Sequence, residues 1–322
     1  MKHKSILFFV VLIISLNLSY SQVTKINLEL IELELQYKEC SNLAGTIHVD
    51  ENDCITLACG IDKMTVFSFS KDGKLKEKIR FKEKDHVSKN FSAIGVLRNS
   101  NYYYYTKNKK LYLINKNSKS SKPLFNFGWV IREDQGSYYS IENSYDSLST
   151  YFLNKATLVN DDGNIPSFKL NRIKIESESD FEIVHDTLYQ VEDGNLLNIR
   201  DIRSSSEILK IPLESSFDSI YYFDLSILGV KDNKCYFFGF KEYKNQTYKQ
   251  VRDLSIYILE YGRDYALENI YNFPLERKCG FESEHLGFRP TDAIVYFNKL
   301  NGVIYFLFEC DGKLYYSKFK PK

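Results

Sequence analysis

Neither sign of charge dominates this chain: 43 Lys and Arg face 42 Asp and Glu among 322 residues. Near-neutrality removes any bulk attraction to a polyphosphate, so a nucleic-acid partner is not expected. Long apolar runs are equally scarce. The one of note, Ile6 to Ile14 extended by Leu16, falls short of the roughly 20 apolar residues that span a bilayer. The first cysteine is Cys40, so no thiol follows that run to carry a lipid. Methionine and proline number 2 and 6 against 25 Tyr and 23 Phe, a balance that suits a pleated, half-buried surface and not a disordered chain.

Signatures of chemistry are also missing. There is no Gly-x-Ser-x-Gly elbow, and His185-Asp186, read as strand neighbours, would face opposite ways and form no relay. The five His never stand at i, i+4 or beside a cysteine pair. Cys54 and Cys59 are an odd number of strand residues apart and point to opposite faces. Asn160 to Asn164, with Asp161, Asp162 and Gly163, lacks the alternating ligands and closing Glu of a calcium loop and reads as a turn. No metal and no cofactor is expected.

The short apolar run has a different use. Lys2 and Lys4 precede it, and Ser19, Tyr20 and Ser21 follow as a small-x-small triplet, the pattern of a secretory signal peptide cleaved before Gln22. The expected division is a signal peptide at 1–21 and one domain at 22–322, secreted or periplasmic, monomeric, with no membrane span after cleavage. Cleavage takes Lys2 and Lys4 and no acid, which leaves a net charge of −1. The balance hides a segregation: no acid lies between His86 and Arg132, which hold nine cations, whereas Glu133 to Asp224 holds 18 acids against seven cations. One sector should be basic and the next acidic; the plain reading is a solvated surface, the functional one an anion-attracting sector.

Behind the leader, four-strand units recur. The first runs Gly45 to Val49, Cys54 to Ala58, Met64 to Phe69 and Leu75 to Phe81, with Asp72-Gly73 as a hairpin turn. Innermost strands starting near 45, 93, 129, 181, 224 and 292 imply a repeat of about 50 residues. The fold class is therefore all-β, a six-bladed β-propeller, with room for a seventh blade in the long third or fifth unit. The last unit has three strands, Ala293 to Phe297, Val303 to Phe308 and Leu314 to Phe319. The alternating Ile26 to Leu35, slipped once at Leu30 and Ile31, is expected as a bulged N-terminal strand that completes this blade and closes the ring.

Val66, Phe67, Ser68, Phe69, Ser70, Lys71, Asp72, Gly73, Lys74 and Leu75 resemble the strand-turn-strand segment of NHL-like and TolB-like six-bladed propellers. The resemblance covers the wording of one unit and the rhythm of the rest. It implies a scaffold used for protein binding, ligand sensing or occasional hydrolase and lactonase chemistry, among which fold alone does not choose.

In such rings the middle-strand turns and inter-blade connections share one face. That rule selects Lys82 to Asn90, Lys107 to Lys110, Glu242 to Arg252 and Pro274 to Pro290. Lys107, Lys109, Lys110, His285 and Arg289 are the ligand-binding candidates; the plain alternative is an ordinary solvated connection. The Tyr102 to Tyr105 run is read as a strand with half its rings in the core. The leading expectation is a non-enzymatic propeller that binds a partner protein or extracellular glycan through its loop face. A hydrolase or lactonase with Glu282, Glu284, His285 and Asp292 as acid–base groups is the alternative, and a purely structural ring the third. Six cysteines pair in 15 ways. A closing strand antiparallel to Leu314 to Phe319 would bring Cys40 beside Cys310, with Cys279 as the competing partner, and leave Cys54 and Cys235 on the opposite face.

Overall fold

The computed structural model describes residues 23–36, 47–59, 65–80, 91–96, 102–107, 110–118, 121–128, 131–143, 150–160, 167–177, 179–204, 206–213, 221–243, 255–274 and 294–322. All regular structure there is β. Two strands come first, β1 (Val23–Lys25) and β2 (Ile31–Gln36). The first sheet follows as β3 (His48–Val49), β4 (Ile55–Cys59), β5 (Thr65–Phe69) and β6 (Leu75–Arg80). The second is β7 (Phe91–Val96), β8 (Tyr102–Lys107), β9 (Lys110–Asn115) and β10 (Ser121–Asn126). The third is β11 (Arg132–Asp134), β12 (Ser137–Asn143), β13 (Tyr151–Asn160) and β14 (Ser167–Ile175). The fourth is β15 (Asp180–Val184), β16 (Thr187–Glu192), β17 (Leu196–Asp201) and β18 (Glu207–Pro212). The fifth is β19 (Tyr221–Lys231), β20 (Lys234–Tyr243), β21 (Ser255–Tyr261) and β22 (Leu267–Pro274), and the chain ends with β23 (Ile294–Asn298), β24 (Val303–Cys310) and β25 (Lys313–Phe319).

Each sheet is an antiparallel meander, the arrangement that tight two-residue turns permit. Those turns carry the left-handed residues they require: Gln135 and Gly136, His185 and Asp186, Asp232 and Asn233, Asp311 and Gly312 all have positive φ. His185-Asp186 is thus the turn between β15 and β16 and not a pair within a strand. The third and fifth units hold longer strands than their sequences suggest, with β13 at 10 residues and β19 at 11.

The sheets pack face to face in chain order, and the last packs on the first. Tyr139 and Ile141 of the third meet Phe181 and Ile183 of the fourth. Tyr236 and Phe238 of the fifth meet Phe306 and Phe308 beside the sixth sheet's β23. At the seam between the last and first sheets, Tyr305, Leu307, Leu314 and Tyr316 interdigitate with Ile55, Leu57, Phe67 and Phe69. Full burial of one such side chain contributes roughly 1.5–3 kcal/mol, so each interface is a substantial core.

The N-terminal segment departs from the single bulged strand expected over Ile26 to Leu35. Residues 26–30 are not strand. β1 instead adds to the outer edge of the fifth sheet, parallel to β22, with Val23 opposite Ile270. β2 pairs antiparallel with β25, Ile31 opposite Tyr316 and Gln36 opposite Lys313, with an irregular register between Glu32 and Gln36. Alternation decides its orientation: Leu33 and Leu35 enter the seam core at 1% and 6% exposure, while Glu32 and Glu34 face out.

Candidate functional site

The end of the molecule that carries the first-to-second strand turns is bound together by the turn between β23 and β24. Asn298, buried, donates to the Val49 carbonyl at 3.3 Å and accepts the Leu300 N–H at 3.0 Å. Gly302 closes the turn at φ +70 and donates to the Asn298 carbonyl at 2.8 Å. From the fifth sheet, Lys231 Nζ donates to the carbonyls of Lys299 and Leu300 at 2.9 and 2.7 Å. So held, Lys299 reaches across to the third and fourth sheets. Its Nζ donates to the carbonyls of Glu133 and Ile183 at 2.8 and 2.9 Å and meets Glu182 Oε1 at 2.5 Å.

Glu182 is 2% exposed and also accepts the Ile183 N–H at 2.7 Å. Arg132 lies 3.9 Å from it, donates to the Phe181 carbonyl at 2.9 Å and approaches Asp180 at 3.4 Å. Burial pushes the Asp180 carboxyl up, against the opposing pull of Arg132. A buried carboxylate survives only when paired, and here two cations from two other sheets supply the pairing. The cluster is a brace among innermost strands.

A pocket of about 780 Å³ opens at the seam, lined among others by Glu51, Asp53, Cys54, Lys71, Lys76 and Asn301. Asp53, at φ +59, spans the seam: it accepts from Tyr305 Oη at 2.5 Å and Lys318 Nζ at 2.8 Å. Burial works to raise its carboxyl, but those hydrogen bonds outweigh it and hold the group below the ordinary carboxylate range. Tyr316 Oη donates to the Lys71 carbonyl across the same seam. Lys76 Nζ lies 3.3 Å from the free thiol of Cys54. A second pocket, about 470 Å³, holds Lys155 and Arg203 against Asp186 between the third and fourth sheets.

The same polar row recurs in two sheets. Asn154 of β13 stands opposite Ser140 of β12 and Arg172 of β14, and Asn198 of β17 opposite Gln190 of β16 and Lys210 of β18. In each, a Glu two residues along the second strand receives both: Glu142 from Asn154 and Arg172 at 3.0 and 3.2 Å, Glu192 from Asn198 and Lys210 at 3.2 and 2.9 Å. The row then pins the connection arriving from the preceding sheet. Asn154 donates to the Phe127 carbonyl at 2.7 Å, as does Ser140, and Gln190 donates to the Ser177 carbonyl at 3.3 Å.

Of the residues singled out from sequence, Lys107 of β8 and Lys110 of β9 are register partners, and Lys110 is exposed. Lys109, Glu282, Glu284, His285, Arg289 and Asp292 lie outside the described residues, as do Cys40 and the loop 161–166. Cys310 is disulfide-bonded, and Cys54 and Cys235 are free. Burial pushes the Cys235 thiol up to about 12, which leaves it inert. Among the described residues no group of three His, Cys, Asp or Glu is arranged to hold a metal. Sequence reasoning missed Arg132, Glu182 and Lys299. Only Glu182 gave a signal, as a lone acid inside the apolar run Phe181 to Val184.

No protein-family profile matches the chain, and no curated protein matches it in sequence. Solved structures do. A chain of a mitotic checkpoint complex superposes with a TM-score of 0.51 at 8% identity, over 94% of each chain. The WD40 repeats of RRP9 superpose with a TM-score of 0.50 at 10% identity, over 92% of this chain and 99% of that one. The chain is a β-propeller. At such identities the likeness fixes the fold alone. It is to WD40-type propellers; the NHL-like or TolB-like kind suggested by the segment Val66 to Leu75 is not established by it.

Proposed function

We propose that this propeller is an exported six-bladed ring, its last blade completed by β2, that acts as a binding module for a partner protein on its loop face. Among the described residues that face carries the turns 193–195 and 311–312. The observation that carries the reading is how the ionisable groups are used: Lys299, Glu182 and Arg132 at the axis, and Asp53 and Lys318 at the seam, tie sheet to sheet. That use suits a rigid scaffold presenting its loops. Protein assembly is also the setting of one structural neighbour, a checkpoint complex.

Support for six blades comes from the six separate sheets, and for closure from the β2–β25 pairing with Leu33 and Leu35 in the seam core. Support for export comes from the leader and from the disulfide at Cys310, since such bonds persist in oxidising compartments. A Cys40–Cys310 bond stapling the ring belongs to the same proposal. Asp180, its carboxyl raised beside Arg132 at the axis, is the observation that favours the alternative of a hydrolase.

The test has two arms. Full-length chain expressed in a secreting host should be recovered outside the cytoplasm with Gln22 at its N-terminus; cytoplasmic chain that keeps Met1 overturns export. A photo-crosslinking residue at Asp311, on the loop face, should capture a protein partner, and one at Asp232, on the opposite face, should not. Capture from Asp232 alone overturns the choice of face.

A further inference from the structure

The outermost strands divide the propeller into two electrostatic halves. In the first three sheets these are β6, β10 and β14, which together carry seven cations and one acid. In the last three they are β18, β1 and β2, with three acids and two cations; β22, covered by β1, adds only Glu268. All seven cations of the basic half are exposed. The three strands also form one continuous surface. Lys116, from the turn before β10, faces Glu77 of β6, the basic half's lone acid. Phe125 of β10 meets the ring of Phe168 of β14 edge-on at 6.0 Å.

The bland account is that lysines on edge strands discourage edge-to-edge pairing. That account applies equally to all six outer strands, yet β18 balances one cation with one acid and β2 carries two acids and no cation. Partnering differs as well. Lys210 of the acidic half is held by Glu192 at 2.9 Å, whereas the side chains of Arg80, Lys122, Lys169 and Lys174 have no ion pair or hydrogen bond among the described residues. Arg172 is partly tied to Glu142, but 47% of its side chain is exposed and its guanidinium lies over the Phe152 ring, 4.4 Å from the centroid.

We infer that this basic side wall is a binding surface for an anionic polysaccharide, sulfated or uronic-acid-rich. The assignment rests on the export reading for its choice of polyanion, and it uses the side of the ring, not the loop face. A long anionic chain fits a row of unpaired cations spread over three blades better than a compact anion does. A membrane surface fits less well, because the three strands expose little apolar area beyond Leu170. The surface also differs from the sequence segment rich in cations: Lys169, Arg172 and Lys174 come from the acidic stretch Glu133 to Asp224 and become neighbours of β10 only on folding.

The experiment uses the mature chain with immobilised heparin and soluble alginate as probes. Binding should weaken on the order of tenfold or more between about 50 and 200 mM salt, as counterion release requires for several contacts. The Lys122→Glu, Lys169→Glu, Lys174→Glu variant should bind at least about tenfold more weakly, and the matching triple Lys→Arg variant should bind like wild type. Lys25→Glu, on the other half, should change affinity less than about twofold. Thermal melting checks that each variant is folded, and the crosslinking at Asp311 is unaffected either way. Three results overturn the inference: no retention of wild type at low salt, equal retention of the Lys→Glu variant, or tighter binding to anionic vesicles or duplex DNA than to either polysaccharide at the same salt.

Discussion

Single side chains decide how tightly the ring is held, and Asp53 shows the balance best. Its carboxyl sits below the ordinary range because Lys318 and Tyr305 donate to it across the seam, despite some burial. A depressed carboxyl contributes stability above its unfolded value near 3.8 and loses it as pH falls through the lower folded value. Asn tolerates the left-handed backbone there, so Asp53→Asn isolates the charge. It should cost about 1–2 kcal/mol in urea unfolding at neutral pH, and that difference should shrink progressively as pH falls below 3.8 and through the lowered folded value. An unchanged gap at low pH would place the effect in packing. Lys299→Ala should be worse, about 3–5 kcal/mol, because it strands Glu182 at 2% exposure, and Lys299→Met with Glu182→Gln should recover much of the loss. Neither residue was legible as a pair: Lys299 sits in a polar Asn-Lys-Leu-Asn-Gly turn that reads as solvated, 117 positions from its partner.

Strands and turns were far more legible than side-chain partners, since their signals are local. Asp72-Gly73 marked its hairpin, and in the structure Gly73 is needed twice over. Its φ is +80, and a Cβ there would collide with the Glu32 carbonyl oxygen of β2, against which the turn is docked through the Glu34 N–H at 2.8 Å. Gly73→Ala should therefore lower stability by about 2 kcal/mol or more, above the usual cost of a left-handed alanine, as measured by denaturant midpoint. A cost under about 1 kcal/mol would mean that β2 is not seated there in solution. What the sequence hid was β1, three residues too short to show a period, and the paired Glu-Asn-cation rows. Those rows share a register in the sheets, but the intervals from Glu to Asn are 12 and 6, so no fixed spacing announces them.

At the scale of the whole molecule, the order of the sheets could be read from the rhythm of strands, but the charge distribution could not, because linear blocks of charge and outer-strand positions are different partitions of the same residues. The proposed closure of the ring by β2 rests on its pairing with β25, and the cysteines offer an independent check on it. Cys310 ends β24 and is disulfide-bonded, while Cys54, just before β4, and Cys235, at the start of β20, are free. Its partner is therefore Cys40, Cys59 or Cys279. β2 runs antiparallel to β25, so its last residue, Gln36, lies opposite Lys313, three residues beyond Cys310, and Cys40 follows four residues later. The expected bond is Cys40–Cys310, which would clamp β2 to the sheet of β25 with which it pairs. Non-reducing peptide mapping should recover those two cysteines in one linked peptide. Reduction should then destabilise the fold by up to about 5 kcal/mol, the chain-entropy limit for so long a loop, and β2 should detach first, seen as early loss of amide protection at Leu33 and Leu35. Cys310 linked instead to Cys59 or Cys279 would leave the clamp without its covalent part and rest closure on the β2 core contacts alone.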